Sequence, residues 1–120
     1  IIINLLSNSV KFTESGGKIS CKINLTQSGA LKIIVTDNGI GIPADRLKHV
    51  LSPFAQAHEI RNMSEIGTGL GLPIVNQLSK LHGGSFILNS IENVGTTATI
   101  FIPEYRIIFS QSPHLISSIA

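Results

Sequence analysis

Two rhythms of apolar and polar residues run along this chain, and the switches between them mark out its elements. Residues 1–12 keep a helical period: Asn4, Asn8 and Lys11 fall at i, i+4 and i+7 on one face, with Ile2, Leu5, Leu6 and Val10 as apolar neighbours. Thr13-Glu14-Ser15-Gly16-Gly17 ends that helix with a strong turn signal. Ile19, Cys21, Ile23 and Leu25 then alternate with polar residues, which predicts a half-buried strand. Ser28-Gly29 turns the chain into a second strand, Leu31 to Thr36, rich in branched side chains.

Pro43 suits the first turn of a helix predicted to run to Leu51. Residues 55–66 show little periodicity and read as a mobile loop. Pro73 to His82 regains core spacing through Ile74, Val75, Leu78 and Leu81, and stops at Gly83-Gly84. Two closing strands follow, Ser85 to Ser90 and Thr96 to Ile102, joined by a loop with Asn93 and Gly95. This order predicts a two-layer α/β (α+β) sandwich, a mixed, mainly antiparallel sheet with its helices on one face. Residues 104–120 have no clear period and read as a C-terminal tail or linker, which leaves residues 1–103 as the domain.

Composition narrows the class. With 42% hydrophobic and 13% charged residues in 120, the chain is one compact domain rather than a disordered segment. A net charge of +2, from scattered Lys and Arg, does not make a nucleic-acid surface. No apolar run approaches the ~20 residues that cross a bilayer, so no direct membrane contact is expected. The chain opens on Ile1-Ile2-Ile3 inside a helical pattern and reads as an N-terminally truncated fragment. Cys21, the single cysteine, fits a reducing compartment and, by its alternation, a small core residue. His49, His82 and His114 have no metal-like spacing.

The candidate chemistry lies in three glycine-bearing segments: Asp37-Asn38-Gly39-Ile40-Gly41-Ile42-Pro43, Gly67-Thr68-Gly69-Leu70-Gly71-Leu72, and Gly95-Thr96-Thr97. Asp37 offers a carboxylate that can accept from the exocyclic amine of adenine and reject the carbonyl of guanine. Asp-Asn-Gly is also an ordinary turn tripeptide, and that reading stays open. Gly39 and Gly41 leave room for a base to approach the main chain, with Ile42 packing on its face. Gly67, Gly69 and Gly71 precede a helix whose first amides lack internal partners, an anion site suited to phosphates. Asn8 supplies a neutral oxygen for magnesium, and Lys11 reaches a phosphate. The combination suits a purine nucleotide with magnesium on its phosphates.

Taken in order, these segments resemble the ATP-binding catalytic domain of sensor histidine kinases, within the GHKL (Bergerat-fold) ATPases. Asn4 to Thr13 is similar to that family's N box, Asp37 to Pro43 to its G1 box, and Ser52 to Ala57 to its F box. Gly67 to Leu72 resembles the G2 box and Gly95-Thr96 the G3 position. The resemblance covers roughly residues 1–103.

That resemblance implies that the domain binds ATP and Mg2+ and presents the γ-phosphate to a histidine on a separate dimerisation/phosphoacceptor helical domain, with a response regulator acting downstream. It implies a cytoplasmic domain of a membrane-anchored parent. Asp37 would take adenine with a water held by Thr96, and Phe12 would flank the base. Residues 55–68 would form a lid, with Phe54 as its hinge, Leu70 and Leu72 as anchors, and Arg61 and Thr68 near the phosphates. His58-Glu59-Ile60-Arg61 imitates the family's phosphoacceptor core, but Met63 stands where the proline belongs, so it is not expected to be the acceptor. Asn4 stands where hydrolytic relatives carry a glutamate, and an amide cannot act as general base. Two alternatives remain: a nucleotide-sensing or partner-docking module without transfer, and an anti-sigma serine kinase of the same superfamily.

Overall fold

The computed structural model describes residues 1–52 and 71–109. Four helices and strands of the first half run α1 (Ile2–Phe12), β1 (Ile19–Leu25), β2 (Leu31–Asp37) and α2 (Ala44–Leu47). Then follow α3 (Gly71–Leu81), β3 (Ser85–Ile91), β4 (Gly95–Ile102) and a 3-10 turn at Glu104–Arg106. The strands form one sheet of order β1-β2-β4-β3, and all three pairings are antiparallel. The helices α1 and α3 pack on one face of it, as the two-layer expectation requires.

The core lies between that face and the two helices. Leu5 of α1, Ile33 and Val35 of β2, Val75 of α3, and Ala98 and Ile100 of β4 are buried together. Ile2, Leu6, Leu72, Phe86 and Leu88 pack around them. Each fully buried aliphatic of this kind contributes about 1.5–3 kcal/mol relative to exposure. On α1 the buried stripe is Leu5 and Ser9 at i and i+4, while Val10 is turned outward at 67% exposure.

Helix α3 ends in a Schellman geometry. Gly83 takes φ +75°, its amide donates to the Lys80 carbonyl at 2.8 Å, and the Gly84 amide donates to Ser79 at 2.9 Å. The pair therefore stops the helix by accepting a left-handed turn that a side chain resists.

Three expectations need correction. The helix predicted from Pro43 to Leu51 is only Ala44–Leu47; beyond it the chain continues in turns, with the amides of His49 and Val50 returning to Arg46. Helix α3 begins at Gly71 rather than Pro73, because a proline in the first turn forfeits no intrahelical bond. Cys21 is exposed, not core. It does stand opposite Val35 and shares its face, as the alternation predicts. But β1 is an edge strand, exposed along its whole length, and α1 and α3 sit mainly over β2, β3 and β4. Residues 53–70, which carry most of the F-box stretch, Phe54, the predicted lid and the His58 to Arg61 segment, lie outside the described residues. So do residues 110–120 of the predicted tail.

Candidate functional site

The sheet register builds the centre of the site. Asp37 closes β2 and stands directly opposite Thr96 near the start of β4, so two residues far apart in sequence share one face. Both carboxylate oxygens of Asp37 are engaged. The Gly39 amide donates to Oδ1 at 3.0 Å, and the Ser9 hydroxyl donates to Oδ2 at 2.9 Å. The first bond is the Asx-type turn that the tripeptide suggests, so the turn and the ligand-facing carboxylate are compatible roles. An ionised carboxylate has about four lone-pair positions, and these two donors leave acceptor capacity for a ligand.

The loop after Asp37 is tied down at several points. The Ile40 amide donates to the Phe12 carbonyl at 3.0 Å, and the Ile40 carbonyl accepts from Asn93 at 2.7 Å. The Ile42 amide donates to the Ser90 hydroxyl at 2.8 Å. Here the glycines have a reason other than the predicted approach of a base. A Cβ on Gly39 would strike the Phe12 carbonyl, and one on Gly41, where φ is +66°, would strike the Ile91 carbonyl. The chain's own backbone fills the space that each hydrogen leaves.

Ser90 joins the loop to the β3–β4 hairpin. Its hydroxyl donates to the Gly95 carbonyl at 3.0 Å and lies 2.7 Å from the Thr96 hydroxyl. With the Ser90 proton on that carbonyl, Thr96 is the donor between the two.

At the other end, α1 and α3 meet. The Asn8 carboxamide faces the first residue of α3: a Cβ on Gly71 would lie 3.4 Å from its Nδ2 and 3.6 Å from its Oδ1. Pro73 has no amide hydrogen, so Gly71 and Leu72 carry the first-turn N–H groups that have no acceptor within the helix itself. Asn4 is half-buried one turn before Asn8, and the Lys11 ammonium lies 5.7 Å from the Phe12 ring centroid. Neither Asn4 nor Asn8 makes a side-chain hydrogen bond to any described residue. No cluster of three or more His, Cys, Asp or Glu occurs among the described residues. A neutral oxygen at a helix N-terminus is a donor set that fits magnesium held chiefly by phosphates and water.

Of the predicted site residues, the fold thus brings together Asp37 with Thr96, Gly39 with Phe12, and Asn8 with Gly71. Ile42 is held by its amide, and Leu72 packs against the core. Arg61, Gly67, Thr68, Gly69 and Leu70 lie outside the described residues. Sequence reasoning missed Ser9 and Ser90. Each had a signal: Ser9 falls on the buried stripe of α1 with Leu5, and Ser90 takes an inward position after Phe86 and Leu88. A hydroxyl where the pattern asks for an apolar side chain needs a partner.

The comparisons with known proteins agree with this geometry. The family model described as histidine kinase-, DNA gyrase B-, and HSP90-like ATPase matches residues 1–106. An uncharacterised sensor-like histidine kinase of Rhizobium meliloti is 42% identical over 103 residues, 86% of this chain and 19% of that protein. The histidine protein kinase DivJ of Caulobacter vibrioides is 37% identical over 103 residues, 86% of this chain and 17% of its own length. The chain therefore spans about a fifth of these relatives. Among solved structures, full-length ShkA in complex with AMPPNP superposes with a TM-score of 0.71 at 28% identity, over 85% of this chain and 20% of that one. The mycobacterial sensor histidine kinase MprB gives 0.69 at 30% identity, over 85% and 66%. No helix among the described residues is long and apolar enough to cross a membrane. The chain belongs to the histidine kinase-, DNA gyrase B-, and HSP90-like ATPases, and its fold is that of the histidine kinase catalytic domain.

Proposed function

We propose that this chain binds Mg-ATP and presents the γ-phosphate for transfer to a histidine on a separate helical domain, as part of two-component signalling. The observation that carries the reading is the Asp37 carboxylate, held from both sides and set opposite Thr96. An acceptor-only group fixed in that way suits the 6-amino group of adenine and opposes the 6-carbonyl of guanine. Asn8 and the start of α3 would hold the magnesium and the phosphates, with Lys11 one turn on. Bound magnesium supplies charge neutralisation on the phosphate oxygens, the main requirement of phosphoryl transfer.

Asn4 supports transfer over hydrolysis. It sits on the helix face of Asn8, and its amide cannot take a proton from an attacking water. The acceptor histidine, the response regulator and a membrane-anchored parent with this domain on its cytoplasmic side belong to the same proposal. The likeness to sensor histidine kinases supports them.

The test is the Asp37→Asn variant. Calorimetric titration with Mg-ATP should show at least about a hundredfold loss of affinity, because the amide offers a donor where an acceptor is needed. A folded variant with unchanged affinity removes the adenine assignment.

A further inference from the structure

Two serines lie on the buried stripes of the two main helices, and they behave differently. Ser79 of α3 is fully buried and turns its hydroxyl back to its own helix, donating to the Val75 carbonyl at 2.7 Å. That is the usual resolution for a buried helical serine. Ser9 of α1 is 4% exposed and leaves its helix instead, donating across to Oδ2 of Asp37 on β2.

The consequence lies in the torsion of the carboxylate. The terminal torsion of an aspartate is soft, so one hydrogen bond leaves the group able to swing. The Gly39 amide alone holds Oδ1. Ser9 adds a second donor on the other oxygen, from an element packed against the sheet. With both oxygens anchored, the remaining lone pairs point in fixed directions, and a ligand must place its donor there. The Ser9 hydroxyl has one proton, and with it committed to Oδ2 none is left to offer a ligand.

We infer that Ser9 is a positioning residue for base recognition: its buried hydroxyl fixes the plane of the Asp37 carboxylate and thereby sets the preference for a purine with a 6-amino group. This rests on the adenine reading above and deepens it. Ser9 does not touch the nucleotide. It acts through Asp37.

The experiment measures dissociation constants of the full chain with magnesium, for ATP and for purine riboside triphosphate, which lacks the 6-amino group. It compares the wild type with Ser9→Ala. Alanine suits a helix interior and leaves only a small void, so the variant keeps its fold, which circular dichroism verifies. ATP affinity is expected to fall about tenfold, as for loss of a hydrogen bond to a charged group, while purine riboside triphosphate binds the variant and the wild type alike. Equal losses for both nucleotides would mean that Ser9 only braces α1 against β2, and the inference falls. Unchanged ATP affinity overturns it too. If the wild type itself does not prefer ATP to purine riboside triphosphate, the adenine reading fails first, and Ser9 has no recognition to support.

Discussion

The two ends of the candidate site are built on different terms. At the Asp37 end most polar groups are already engaged, the buried Thr13 hydroxyl beside Gly39 excepted: the carboxylate by Ser9 and Gly39, the loop by Phe12, Asn93 and Ser90, and Thr96 by Ser90. At the Asn8 end the side chains of Asn4 and Asn8 meet no hydrogen-bonding partner among the described residues, and the first amides of α3 have no acceptor within their own helix. One end is a finished surface that a flat, uncharged base can meet without rearranging anything. The other is a set of donors and a neutral oxygen waiting for charge. On the proposed reading, preorganised groups would give direction to base recognition, and the open groups would be met by a highly charged ligand.

The largest effect should come from breaking the finished end. Gly41→Ala places a methyl group against the Ile91 carbonyl at a φ of +66°. Neither side can yield cheaply, since both are backbone, and the Asn93 amide bond to Ile40 sits beside them. Strain and displaced loop together should cost about 3 kcal/mol or more. Urea unfolding should show that loss, with ATP affinity falling even in the fraction that folds. A variant as stable as the wild type would mean that the loop yields readily and is not a fixed surface.

The open end should respond to conditions rather than to strain. Asn8→Ala removes the neutral oxygen beside Gly71 but no described hydrogen bond, so stability should change by less than about 0.5 kcal/mol. ATP affinity should fall about tenfold with magnesium present and stay unchanged in chelator. Titration under both conditions decides it. An equal loss in chelator would move the metal elsewhere.

How far the sequence made this legible differs between the same two ends. The helical period of Asn4, Asn8 and Lys11 and the glycine segments mark these residues as candidates, and the register sets Asp37 opposite Thr96. What could not be read was which groups the protein uses on itself. Gly39 and Gly41 look open in sequence because a missing side chain says nothing about what occupies its place. Their neighbours, the Phe12 and Ile91 carbonyls, are fixed only once α1 and the hairpin have packed. Ser9 and Ser90 were hidden for the same reason. A hydroxyl breaks an apolar pattern by one atom, and its partner lies 28 residues away for Ser9. The shortening of α2 is a local failure of another kind. Four residues after Pro43 carry helical geometry, but none of them is buried, and a helix that short gains little without an apolar face.

Cys21 offers the smallest effect and the sharpest check on the edge of the sheet. Its alternation with Ile19 and Ile23 is real, and so is its pairing with Val35. Alternation, however, reports only which face a side chain takes; it does not report whether anything lies over that face. Burial needs a second layer, and β1 stands at the margin of the one that α1 and α3 provide. Cys21→Ser should therefore shift stability by less than about 0.5 kcal/mol, whereas the same change at a packed core position would bury an unpaired hydroxyl and cost about 1–3 kcal/mol. A thiol reagent should label the folded protein at the rate of the unfolded chain, with ATP affinity unchanged. Protection of Cys21 from the reagent would mean that β1 is covered in solution, and the apolar run of Ile19, Ile23 and Leu25 would then belong to an interior after all.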